Sequence, residues 1–112
     1  MRLAIIGSRA YPRLDMVQAY VESLAPSIIV ISGGALGVDT VAAQAARARG
    51  MQVVEHLPDY KTHGSKRAPH ARNRVIASEC DCMTAFWDGA SPGTEAVIAM
   101  TRKLGKLVQV IA

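Results

Sequence analysis

The chain has 112 residues, half of them hydrophobic and 4% aromatic, with 13 Lys and Arg against 9 Asp and Glu for a net charge of +4. This length can bury a core without disulfide or metal staples, and no apolar run approaches the roughly 18 residues that a membrane span needs. Met1-Arg2 and a short apolar stretch before Gly7 make no signal peptide, so the expectation is one domain, residues 1–112, in the cytosol and off the membrane.

Arg2 to Ile6 reads as a first strand, ended by Gly7-Ser8-Arg9. Leu14, Val17, Val21 and Leu24 recur at helical spacing and predict a helix over 14–24, with Pro12 near its start. After Pro26, the apolar run Ile28 to Ile31 reads as a buried parallel strand. It runs without a spare residue into the glycine-rich turn Ser32 to Asp39 and then an Ala-rich helix that Gly50 stops. Gly33, Gly34 and Gly37 permit positive φ and close approach of a ligand. The unpartnered amides opening the helix favour an anion, typically phosphate. The spacing GGxxG is neither the dinucleotide fingerprint nor a P-loop, so it suggests phosphate without naming a ligand.

Met51 to Glu55 predicts a third strand. From His56 to Arg74 the chain carries two prolines, one glycine, three histidines and a cluster of Lys and Arg. This reads as a basic loop or flap over the glycine turns, running into a short helix over 69–77. His56, His63 and His70 read as polar loop residues, Cys80 and Cys82 as small fillers, and no metal site is expected. Asp81 to Trp87 predicts the fourth strand, Asp88 to Glu95 a third glycine turn, 94–103 a helix stopped by Gly105, and 107–111 the last strand.

Strands alternating with helices imply an α/β, doubly wound parallel sheet of about five strands with helices on both faces. The turns after strands one, two and four then meet at one edge, where such sheets hold ligands. The expected partner is a nucleotide-like, phosphorylated small molecule, with no certain cofactor.

The segments GSR at 7–9, SGGALGVDTVAAQAA at 32–46, DYKTHGSKRAPHARNR at 59–74 and DGASPGTEAV at 88–97 together resemble the YspA-like branch of the SLOG superfamily. That superfamily also includes the DprA/Smf DNA-processing proteins and the Lonely Guy phosphoribohydrolases. The resemblance implies a Rossmann-like sheet of order 3-2-1-4-5, a nucleotide-derived ligand and dimers. By position it implies a pocket floor of Gly7, Ser8 and Arg9 and a second wall of Ser32, Gly33, Gly34, Gly37 and Asp39. Arg72 and Asn73, from the Pro-x-x-Arg-Asn pattern, would be polar contacts, and Gly93 and Thr94 a phosphate cradle. Enzymatic members carry PGGxGTxxE, whereas this chain has SPGTEAV, with Val97 in place of the glutamate. Glu95 stands about 200° away around the helix, given roughly 100° per residue.

Three functions follow as expectations. The first is a sensor or carrier module that binds a nucleotide-derived metabolite, with Trp87 or Tyr11 stacking on the base. The second is an N-glycosidase acting on a nucleoside monophosphate, with Glu95, or else Asp39 or Asp88, as the carboxylate. The third is single-stranded DNA binding of the DprA kind, which the scarcity of aromatics and the confinement of the cations to one loop oppose.

Overall fold

A computed structural model describes residues 1–112 of the chain. Nine elements alternate along it: β1 (Arg2–Gly7), α1 (Leu14–Glu22), β2 (Ile29–Ser32), α2 (Val38–Ala48), β3 (Val53–Glu55), α3 (Tyr60–Glu79), β4 (Cys82–Phe86), α4 (Pro92–Lys103) and β5 (Leu107–Ile111). The five strands form one sheet in the order β3-β2-β1-β4-β5, and every pairing is parallel. The fold is therefore the α/β, Rossmann-like doubly wound sheet that the alternation predicts.

The period-2 alternation of side chains gives the sheet two apolar faces. Leu3, Ile5, Val30 and Phe86 join Val17 and Val21 of α1 and Ala42 and Ala46 of α2 on one face. Ala4, Ile6, Ile31, Met83 and Ala85 pack with Ile76 of α3 and Val97 and Ile98 of α4 on the other. The small residues of α2 let it lie close to both α1 and the sheet. No helix is long and apolar enough to cross a membrane.

One expected element differs in extent. The segment read as a basic loop with a short helix over 69–77 is helical throughout Tyr60–Glu79, with a break at Gly64 (φ 78°, ψ 173°). Asp59 caps its start by accepting from the Thr62 amide at 3.2 Å and the Thr62 hydroxyl at 2.7 Å. Because Gly64 restarts the helix, Pro69 falls near the beginning of the second segment, where its missing N–H removes only one backbone bond. Of the two cysteines, Cys80 is buried and Cys82 half-buried, and both are free thiols.

Candidate functional site

The parallel arrangement places the β1–α1, β2–α2 and β4–α4 connections at the carboxyl edge of the sheet, with β1 between β2 and β4. They enclose a cleft of about 550 Å³, whose remaining wall comes from Pro58 and from Tyr60, Pro69, Arg72 and Asn73 of α3. It lies at the topological switch point, where β1 separates chain segments running outward in opposite directions.

Close backbone contacts hold the turns together. Ser8 is buried; its amide donates to Phe86 O at 3.1 Å, and its hydroxyl accepts from the Asp88 amide at 3.4 Å. This ties the first turn to the third. Gly37 has φ 85°, and a Cβ there would stand 2.7 Å from Arg9 O, so only glycine lets the second turn pass the first. Gly33 fills the space between Asp39 and Arg72: a Cβ would meet Asp39 Oδ2 at 2.8 Å and Arg72 Nη1 at 2.9 Å.

Asp39 and Arg72 are the charged groups at the base. Asp39 is 4% exposed; its Oδ2 accepts from the Ala35 amide at 3.4 Å, while Oδ1 has no hydrogen-bond partner. Burial raises its pKa from 3.8 to about 6, opposed by the Ala35 N–H, the Arg72 guanidinium and the amides of Gly7 and Gly33. Arg72 donates from Nη1 to Gly33 O and from Nε to Asn73 Oδ1 at 2.7 Å. Its pKa is lowered by burial, and the Asp39 charge works the other way. For both groups, desolvation outweighs their mutual attraction.

The third turn has a different character. Asp88 Oδ1 accepts from the amides of Ala90 and Ser91, both at 2.9 Å, and those bonds hold its carboxyl below the usual range. One turn further on, Pro92 has no N–H, and the amides of Gly93 and Thr94 have no acceptor in the protein. The space above Gly93 is open. The exposed Arg9 lines the same cleft and enters none of the four ion pairs.

Nine of the twelve ligand residues expected from the sequence line the cleft: Gly7, Ser8, Arg9, Gly34, Asp39, Arg72, Asn73, Gly93 and Thr94. Ser32, Gly33 and Gly37 stand behind its surface; the buried Ser32 hydroxyl donates to Asp39 O at 3.2 Å and accepts from the Gly34 amide at 3.3 Å. Glu95 is exposed and does not line the cleft, whereas Val97 does.

Neither aromatic expected to stack on a base is placed to do so. Tyr11 is buried edge-on against Phe86 at 5.5 Å between centroids, with its hydroxyl donating to Ala112 O at 2.9 Å. Trp87 packs beside the second core cluster and donates to Ser91 O at 3.0 Å. The aromatic in the cleft is Tyr60, half exposed, which the loop reading of 56–74 passed over. Among the histidines, His56 Nε2 lies 2.6 Å from Glu79 Oε2, out of line for a hydrogen bond, while His63 and His70 are exposed on α3.

The family model of YspA, cpYpsA-related SLOG proteins matches residues 1–63, from β1 into the first turn of α3. The chain belongs to that SLOG family. No curated protein matches it. Among solved structures, DNA processing protein A from Streptococcus pneumoniae superposes with a TM-score of 0.87 at 22% identity, over 99% of this chain and 50% of that one. The corresponding protein from Helicobacter pylori, described for its single-stranded DNA binding mode, gives 0.73 at 21% identity, over 98% of this chain and 64% of that one. At these identities the likeness is one of fold, and the SLOG chain spans about half to two thirds of their length.

Proposed function

We propose that this SLOG protein binds a nucleotide or nucleotide-derived phosphorylated ligand in the cleft, as a sensor or carrier rather than a catalyst. The observation that carries this reading is the convergence of the open Gly93 and Thr94 amides, the exposed Arg9 and the half-exposed Tyr60 on one cavity. The helix-terminal amides and Arg9 hold the phosphate, and the Tyr60 ring offers a face for a base. The apolar Val97 in the wall and the exposure of Glu95 outside it speak against Glu95 as a catalytic carboxylate, and the carboxylates that do line the cleft are Asp39 and Asp88.

Thermal unfolding with nucleoside 5′-monophosphates, ADP-ribose and NAD tests this reading. A ligand present at a hundred times its Kd stabilises the fold by about 2.7 kcal/mol. Tyr60→Ala should weaken the best nucleotide by about 1–3 kcal/mol, the worth of a base–aromatic stack, and leave inorganic phosphate unaffected. Equal loss for both ligands would remove Tyr60 from the base site.

A second reading, single-stranded nucleic acid, draws on Lys66, Arg67 and Arg74. These are exposed on α3, the helix that supplies Arg72 and Asn73 to the cleft, and are free of ion pairs. It requires affinity for an oligonucleotide that falls steeply with added salt.

A further inference from the structure

The two edges of the sheet are built differently. β3 is three residues long and ends in the exposed Glu55, whose carboxylate lies 3.5 Å from Arg47 Nη2. A short, charged edge resists pairing with a foreign strand. β5 is five residues long, Leu107-Val108-Gln109-Val110-Ile111, with no charge, proline or glycine. Four of the five are apolar, yet none is buried, and Leu107 is 83% exposed. Strands of a parallel sheet are apolar because both of their faces are covered, and β5 lacks part of that cover.

The gap is on the face of α1 and α2. Leu3, Cys82 and Leu107 stand in register across β1, β4 and β5. Leu3 is buried, Cys82 half-buried and Leu107 exposed, so the cover from these helices gives out along the row before it reaches β5. α4 packs on β5 from the other side, where Val108 adjoins the second core cluster.

The hydrogen-bond parity shows which backbone groups are free. The Trp87 amide donates to Ile111 O at 2.9 Å. In a parallel ladder the N–H and C=O of one residue point to the same neighbouring strand, and successive residues alternate. Leu107, Gln109 and Ile111 therefore face β4, and the backbone groups of Val108 and Val110 face outward. The exposed Arg102 is the side chain that reaches this edge, with Nη2 3.5 Å from Val108 O, and as a flexible surface group it can swing aside.

This edge is complementary to itself. A two-fold axis at Gln109 sets two copies of β5 antiparallel with all five residues overlapped. Val108 and Val110 of each copy then exchange N–H to C=O hydrogen bonds with Val110 and Val108 of the other. Leu107 meets the second copy's Ile111 on the uncovered face. The two Gln109 side chains meet on the axis, at a non-hydrogen-bonded position where Cβ atoms stand about 4.5–5.5 Å apart. No charge of β5 opposes a like charge, which matters for two copies that each carry +4.

We infer that the outer edge of β5 is the docking surface for a second copy of this chain, joining two five-stranded sheets into one continuous sheet about a two-fold axis at Gln109. The cleft takes no part in this contact, so the inference is independent of the ligand reading.

The test is sedimentation velocity of the chain over a concentration series reaching high micromolar. The wild type should sediment as a dimer at the upper end. Gln109→Lys and Gln109→Glu each bring like charges together on the axis, and each should raise the dimer Kd by roughly tenfold or more. Gln109 is exposed, so both variants keep the monomer fold. An equimolar mixture of the two variants should dimerise again, because opposite charges then meet across the axis. A wild type that stays monomeric at every concentration overturns the inference. So does a dimer that neither variant weakens, or a pair of variants that dissociate and do not recover on mixing, since either places the contact elsewhere.

Discussion

Asp39→Asn is expected to make the protein more stable at pH 7, by as much as about 3 kcal/mol. The carboxyl titrates near 3.8 when exposed and near 6 in the fold, chiefly because burial disfavours its charge, and each pH unit of difference corresponds to about 1.4 kcal/mol. Since the folded-state pKa is the higher one, the folded protein holds this proton more tightly than the unfolded chain. The stabilisation is complete below pH 3.8 and is lost as the pH rises through 6. Asparagine is neutral at every pH, can accept the Ala35 amide through Oδ1 and turns its NH₂ toward the cleft. The gain over wild type should therefore be near zero at pH 4, grow between pH 4 and 6, and stay level above. Chemical denaturation of both proteins across that range measures it. A variant less stable than wild type at pH 7, or a difference that ignores pH, contradicts the account of Asp39.

Arg72→Ala is expected to act in the opposite direction, destabilising the fold by about 2–4 kcal/mol at pH 7. The substitution strips Gly33 O of its donor, releases the Asn73 amide and removes the cation that opposes the Asp39 charge. For a domain of this size the melting temperature should fall by roughly 10 °C. Part of the loss passes through Asp39, so its pKa should rise above 6, and the penalty should shrink at pH 4, where that carboxyl is neutral. Combining Arg72→Ala with Asp39→Asn should recover that part. Strict additivity of the two substitutions would show that the groups do not interact.

The strands and the three turns were legible because their signals are local. Apolar runs such as Ile28 to Ile31, each followed by glycines and a helix start, specify strand, turn and helix with little competition. Once the strands are parallel, the turns must meet at one edge, and so most of the cleft followed from chain order. The path of residues 56–79 was less legible, since Pro58, Gly64 and Pro69 all read as breakers. The Asp59 cap and the restart at Gly64 are what reconcile them with a helix. That helix is what brings Tyr60 to the cleft, so the same misreading hid the aromatic. The burial of Tyr11 had no local signal: its ring fills space against Phe86, a residue 75 positions later. Nor does spacing show that Asp39 keeps one oxygen unpartnered, because that depends on Arg72 being occupied by Gly33 and Asn73.

The measurement that bears most directly on the central claim is an amide chemical-shift titration of the ¹⁵N-labelled protein with a nucleoside 5′-monophosphate. Occupation of the cleft predicts that the largest saturable shifts fall on Gly93 and Thr94, with further shifts in the turn from Gly34 to Asp39 and at Tyr60 and Asn73. Shifts confined to the exposed cations of α3, or no saturable shift at any amide, would contradict it.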